Sequence, residues 1–205
     1  AFFTLSIQLA NGSGNTAIGK SALQDNTTAN YNTGMGRDAL GNTTTGGANT
    51  AMGTNALSDN ITGARNNAIG SGALRFASSE SDNLAIGYYA LRGAIDGGEY
   101  NIAIGNFSLD ANTSGDNNVA IGYQSMLDAN GAEYNTAVGN NALRGTGNTN
   151  ITGDENVAVG AGSLKLNIAG AQNTAVGRVS LYTNTSGSNN TALGYGSLLS
   201  NTSAR

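Results

Sequence analysis

Apolar side chains recur along this chain in a nine-residue phrase that is copied 11 times. The phrase reads Asn, any residue, Ala, an aliphatic residue, Gly, two free positions, a small residue and Leu, and the first copy runs from Asn15 to Leu23. The interval between copies is constant, except that the spacer before the sixth copy is longer by one residue and the spacer before the ninth by four. A fixed period of about 17 residues predicts a repeat architecture in which each copy forms one structural unit.

Each repeat predicts a short strand followed by tight turns. Gly in every copy and spacers rich in Asn, Gly and Thr oppose helix formation, and each phrase is too short for a stable helix. Strands stacked at about 4.8 Å place equivalent residues above one another, so 11 units would form a rod of roughly 50 Å. The sequence therefore predicts an all-β, parallel β-solenoid (a β-roll or β-helix) of 11 coils.

The two apolar columns of the phrase, at positions 4 and 9, are both predicted to face the interior of the coil. Position 4 is Ile18, Met35, Met52, Ile69, Ile86, Ile104, Ile121, Val138, Val159, Val176 and Leu193. Position 9 is Leu in every copy except Met126. Position 3 is Ala except for Gly34, which indicates close packing against either the opposite wall of the same coil or a neighbouring chain.

The first position of the phrase is always asparagine. These residues are Asn15, Asn32, Asn49, Asn66, Asn83, Asn101, Asn118, Asn135, Asn156, Asn173 and Asn190. Stacked amides can form a side-chain ladder from coil to coil. Alternatively, each Asn caps a turn by bonding its own backbone. Both interpretations give the column a structural role.

No composition shift divides the repeats, so residues 15–205 are predicted to form a single solenoid domain. Residues 1–14 contain alternating apolar residues between Phe2 and Leu9 and are predicted to form an N-terminal cap strand or a segment that joins subunits. Solenoid ends expose unpaired backbone and apolar side chains. The small column and the open ends favour a homo-oligomer, either laterally associated or stacked end to end.

The composition of the chain offers no candidates for catalytic or metal-binding residues. His and Cys are absent, and the 13 acidic residues occupy unrelated columns, so no catalytic, cofactor or metal residues are predicted and the chain is expected not to be an enzyme. The net charge is −4 and the nine basic residues do not cluster, which disfavours nucleic acid. The apolar start is too short to span a membrane. The weaker alternatives are a polysaccharide-degrading β-helix and an ice-binding protein. The Thr column at position 2 is interrupted in the middle coils, which counts against ice binding.

Two sets of surface residues are candidates for recognition or modification. Aromatic rings that could stack on sugars or on a partner protein lie next to the phrase at Tyr31, Tyr88, Tyr100, Tyr123, Tyr134 and Tyr195. Asn-x-Ser/Thr sequons in the spacers offer accessible glycosylation sites at Asn26, Asn42 and Asn60.

The phrase Asn-Thr-Ala-Ile-Gly-x-x-Ala-Leu, seen from Asn15 to Leu23, is similar to arrays in phage tail-fibre and bacterial surface proteins. It also resembles the Asn-Ser-Val-Ala-Ile-Gly-x-x-Ser repeat of trimeric autotransporter adhesin heads. That resemblance implies a left-handed β-roll, a trimer, and an extracellular or virion-associated location. The expected function is a non-enzymatic structural or adhesive fibre module that spaces or presents an attachment surface, with a cell-surface glycan or protein as receptor. The alternative is a self-assembling extracellular filament subunit.

Overall fold

The computed structural model describes residues 11–93, 97–147 and 150–203. These residues form one sheet of 11 parallel strands in sequence order, and no helix occurs among them. The strands are β1 (Thr16–Ile18), β2 (Thr33–Met35), β3 (Thr50–Met52), β4 (Asn67–Ile69), β5 (Leu84–Ile86), β6 (Ile102–Ile104), β7 (Val119–Ile121), β8 (Thr136–Val138), β9 (Val157–Val159), β10 (Thr174–Val176) and β11 (Thr191–Leu193). Each coil contributes one strand, and turns make up the rest of its circumference. The predicted all-β parallel solenoid is confirmed.

The strands pair so that equivalent phrase positions lie over one another. Between β1 and β2 the partners are Thr16 with Thr33, Ala17 with Gly34 and Ile18 with Met35. The same register holds between all neighbouring strands, including the two pairs that are joined by the longer spacers. The additional residues are therefore accommodated in the spacers and leave the sheet unbroken. The proposed cap or joining strand between Phe2 and Leu9 lies outside the described residues.

The prediction that position 4 faces the interior is wrong. Position 3 is buried from Gly34 onward and position 9 from Leu23 to Leu181, whereas Met35, Met52 and Ile69 at position 4 are more than a third exposed. Successive side chains of a strand point to opposite faces, so burying Ala turns positions 2 and 4 outward. A Cβ added to Gly34 would lie 3.2 Å from the Ala39 carbonyl and 3.6 Å from Leu23 Cγ. The opposite wall of the same solenoid therefore packs on the Ala column, and the space admits nothing larger.

The bend after each strand depends on backbone conformations that favour glycine. Position 5 is Gly with φ near +130°, and a Cβ on Gly105 would lie 2.5 Å from the carbonyl oxygen of Gly122 in the next coil. Positions 7 and 9 also have positive φ in every described coil. The position-9 side chains nevertheless form the centre of the core, together with small residues at positions 3 and 8.

The spacer closes each coil through a buried turn. In several coils a spacer Asn bonds the residue three positions later, as in Asn112, whose Oδ1 accepts from Gly115 N and whose Nδ2 donates to Gly115 O. The longest repeat differs, because its fully buried Ile151 pairs with Ala129 as an isolated parallel bridge. At that level of the stack, an apolar contact thus replaces the hydrogen bonds of the spacer Asn side chain.

Candidate binding surfaces

The column of position-1 asparagines is almost entirely buried and ties the coils together. The Asn49 backbone N–H donates to Asn32 Oδ1 at 2.8 Å, while Asn32 Nδ2 donates to the Gly46 carbonyl at 2.8 Å. Direct amide–amide bonds join neighbouring residues of the column from Asn118 onward, beginning with Asn118 Nδ2 to Asn101 Oδ1 at 3.2 Å. Each Asn therefore supports its own turn and links it to the adjacent coil. These side chains are occupied by the fold and are not available to a ligand.

The outward face of the sheet carries two columns, positions 2 and 4, to which every strand contributes one residue each, and none of these residues is charged. Position 4 is aliphatic throughout, and position 2 is apolar in β5, β6, β7 and β9 and polar but uncharged elsewhere. The middle strands are therefore the most apolar part of this face. We call this surface the sheet face. A continuous uncharged surface roughly 50 Å long is typical of a contact surface.

Four aromatic side chains form a cluster at the corner that follows β5, β6 and β7. Ring centroids are 4.0 Å apart for Tyr88 and Tyr89, 5.3 Å for Tyr88 and Phe107, and 6.4 Å for Phe107 and Tyr123. The last two pairs meet edge to face. Tyr88 and Tyr123 are 42% and 46% exposed, so the cluster presents open rings to solvent. We call these four residues the aromatic cluster.

An ion pair supports the aromatic cluster from one side. The Arg92 guanidinium lies 4.5 Å from the centroid of the Tyr89 ring, and its Nε is 3.0 Å from Asp110 Oδ1. Burial raises the pKa of the Asp110 carboxyl, and Arg92 opposes this shift. A hydrogen bond with Tyr89 raises the pKa of the Tyr88 hydroxyl, and burial adds to this effect. The aromatic cluster is thus held by contacts along the stack.

A polar groove with a volume of about 280 Å³ lies on the N-terminal coils, on the side formed by the bends. Every residue that lines it is polar or glycine. These residues are Ser21, Gln24, Asp38, Gly41, Asn42, Asn55, Ser58, Asp59 and Arg75. The carboxylates of Asp38 and Asp59 are matched by Arg75 and by Arg37, whose Nε lies 3.3 Å from Asp38 Oδ2. The groove is therefore rich in hydrogen-bonding groups and close to neutral in charge.

The six tyrosines singled out from the sequence are all exposed, but the structure does not bring them together. Tyr31, Tyr100 and Tyr134 precede their phrases, on the far side of the strand from Tyr88 and Tyr123. Tyr195 follows β11 at the end of the described stack. Sequence analysis missed Tyr89 and Phe107, although an aromatic pair followed one repeat later by another ring was the available signal.

A second ion pair lies at the position just before the phrase, which in other coils holds Tyr31, Tyr100 and Tyr134. Arg65 donates to both carboxylate oxygens of Asp82, at 2.6 and 2.7 Å. This contact lowers the pKa of Asp82 and raises that of Arg65. The pair joins the coil of β4 to the coil of β5 on an exposed surface, where such pairs contribute little to stability.

The expectation that the spacer sequons are accessible is wrong for two of the three asparagines. Asn60 is fully buried and Asn26 is 8% exposed, since both side chains bond the carbonyl three residues later. Asn42 is exposed and remains a candidate for glycosylation. The buried pair cannot accept a glycan without losing its turn.

Among the described residues, no group of three or more His, Cys, Asp or Glu side chains is placed to hold a metal ion. No helix in the described ranges is long and apolar enough to cross a membrane.

The fold and its columns define the chain as a parallel β-solenoid repeat protein. The chain matches no protein-family model, no curated protein and no solved structure.

Proposed function

We propose that this solenoid is a non-enzymatic, extracellular or virion-associated fibre module that works as a homo-oligomer and spaces or presents an attachment surface. The observation that carries the proposal is the sheet face. Its aliphatic column runs the whole length of the stack, and no charged residue interrupts it. Surfaces of this size and composition mark association sites in soluble proteins. A second copy offers an equally long and equally uncharged partner.

A rigid, in-register stack suits a spacer. The repeated register from β1 to β11 gives the module a length set by the number of coils, and the hydrogen bonds between coils run along its axis. The tail-fibre and adhesin resemblance of the phrase adds support for a left-handed trimer. A trimer would bury one sheet face from each chain around a common axis.

The oligomer is tested by light scattering on the purified chain. We expect a mass of three chains for the wild type and of one chain for Ile102→Lys, because Ile102 lies at the centre of the sheet face and is exposed in the single chain. Ala111→Lys is the matched control, since Ala111 is exposed in the spacer of the same coil. A wild-type protein with the mass of one chain at all concentrations would overturn the oligomeric proposal.

A second candidate is a filament built by end-to-end stacking. Strand β11 pairs with β10 on one side and with no described strand on the other, and Leu193 and Leu198 beside this edge are 77% and 48% exposed. Unpaired edges of this kind template the addition of another strand. Electron microscopy separates the two candidates: filaments of variable length support stacking, and discrete particles of one size support the fibre module.

A further inference from the structure

The polar groove and the aromatic cluster meet on the same side of the solenoid. Gly72, two residues after its position-5 Gly, lies beneath the Tyr89 ring: a Cβ added there would be 2.3 Å from a Tyr89 ring carbon. Arg75, three residues further along the same coil, lines the groove. The groove of the first four coils therefore leads directly to the rings of the next three.

We propose that this combined surface binds an extended, neutral oligosaccharide along the solenoid axis. The inference rests on the attachment role proposed above and names the class of ligand that would be recognised. Sugar rings present apolar C–H faces and polar hydroxyl edges. They match a surface that offers open aromatic rings at one end and carboxylate, amide and guanidinium groups at the other.

The electrostatics of the groove favour a neutral ligand. Two carboxylates, Asp38 and Asp59, face it, and their charge is balanced by Arg37 and Arg75. An anionic sugar would meet the carboxylates without an excess of cations. Hydroxyl groups can instead accept from Arg75 and donate to the carboxylates. The Arg75 Nε atom is buried and has no hydrogen-bond partner among the residues that the structure describes.

The repeat geometry favours an extended chain over a single sugar. Coils follow one another at about 4.8 Å, close to the length of one pyranose unit in an extended polysaccharide. Groove residues such as Asp38, Asn55 and Arg75 belong to consecutive coils, and so do the rings of Tyr88, Phe107 and Tyr123. Each coil thus offers one set of contacts to one sugar of the ligand.

Calorimetric titration of the full chain with cellohexaose, maltohexaose, xylohexaose and chitohexaose tests the proposal, with sialyllactose as the anionic probe. We expect at least one neutral hexasaccharide to bind and sialyllactose not to bind. The Tyr88→Ala, Tyr123→Ala double variant should weaken that binding at least tenfold, since both rings are exposed and neither residue has positive φ. Asp59→Ala should weaken it several-fold.

Tyr134→Ala is the matched control, because this tyrosine is also exposed but lies across the strand from the cluster. Its affinity should equal that of the wild type. Failure of all four neutral hexasaccharides to bind, binding of sialyllactose alone, or equal losses in Tyr134→Ala would each overturn the proposal. The Tyr88→Ala, Tyr123→Ala variant should retain the wild-type oligomeric mass. Loss of sugar binding in calorimetry is thereby distinguished from loss of the oligomer, which is measured by light scattering and depends on the sheet face.

Discussion

At the residue scale, the core leucines combine a favourable side-chain position with an unfavourable backbone. Every position-9 residue from Leu23 to Leu198 has φ between about +46° and +54°. This left-handed conformation costs about 1–2 kcal/mol for a residue with a Cβ. Burial of a Leu side chain contributes about 1.5–3 kcal/mol and offsets the cost. Leu is compatible with this bend from Leu23 to Leu181 because burial of its side chain offsets the cost of the backbone conformation.

Val179 has the same left-handed backbone conformation, but less burial of its side chain to offset the cost. It is β-branched, has φ of 51° and is only partly buried, while other coils place Asn or Gly at this position, as at Asn141 and Gly162. We expect Val179→Asn to raise the free energy of unfolding by about 1 kcal/mol, because Asn tolerates this conformation. Urea denaturation measures the change. Val179→Ala, which keeps a Cβ without local hydrogen bonding, should gain less, and a larger gain for Ala would contradict the explanation.

Glu80 replaces the turn asparagine that the fourth coil lacks. Ala77 stands where six of the other coils carry the spacer Asn. The buried Glu80 carboxylate accepts hydrogen bonds from the backbone N–H groups of Ser78, Ser79 and Gly97. We expect Glu80→Ala to cost about 3 kcal/mol, since hydrogen bonds to a charged group contribute about 1.5–3 kcal/mol each and three of them are lost. Thermal unfolding monitored by circular dichroism gives the loss.

A rescue variant provides the control for Glu80. The double change Ala77→Asn, Glu80→Gly recreates the Asn and Gly pair seen at Asn112 and Gly115. It should recover most of the stability that Glu80→Ala removes. If the double variant is as unstable as Glu80→Ala, the carboxylate does not act as a substitute for the amide.

At the scale of the coil, the column of glycines at position 5 sets how closely strands can follow one another. A Cβ on Gly105 would collide with the Gly122 carbonyl at 2.5 Å, whereas a Cβ on Gly194 would meet nothing within 4 Å. Both residues have positive φ, of 130° and 112°. Comparing the stability of Ala variants at Gly105 and Gly194 therefore separates the cost of backbone strain from the cost of the contact between coils.

We expect Gly105→Ala to lower the free energy of unfolding by more than about 3 kcal/mol, because backbone atoms of the next coil cannot move aside. Gly194→Ala should cost about 1–3 kcal/mol, from backbone strain alone. Chemical denaturation of both variants is the measurement. Equal losses at the two sites would show that the contact between coils is unimportant.

Most features of the coil could be predicted from the sequence, but the direction in which the position-4 side chains point could not. The strict columns revealed the strand, the bend at Gly19 and the buried Leu23, because each column must satisfy the same contacts in every coil. The error at Ile18 and Met35 arose because alternation assigns two faces without saying which is inside. The interior is so narrow that it accepts Ala17 and excludes the larger aliphatic side chain beside it.

At the scale of the whole molecule, surfaces that depend on contacts between different coils were the hardest to predict. The aromatic cluster joins Tyr88, Tyr89, Phe107 and Tyr123 from three coils and lies in no strict column. The groove likewise needs Arg75 beside side chains from earlier coils. Repetition predicts the scaffold, and departures from repetition create the candidate binding surface.

The stack should be modular in units of one coil. Deleting residues 156–172 removes one whole repeat and joins Glu155 to Asn173, so every column is preserved. We expect a folded protein with a circular dichroism spectrum per residue like the wild type, because each coil contacts only its neighbours. Deleting residues 156–163 breaks the columns and should prevent folding of the C-terminal coils. Similar behaviour of the two deletions would contradict modular stacking.

The longest repeat has a consequence for how the chain finds its alignment. In a chain of uniform repeats, a coil that skips its neighbour and stacks on the one beyond still places like residues over like, so such errors cost little beyond the looped-out segment. The longest repeat removes this degeneracy at one level, because Ile151 meets Ala129 there and no second bridge of this kind occurs among the described residues. That irregularity fixes the alignment at its own level, because a coil that skipped it would leave Ile151 without its partner.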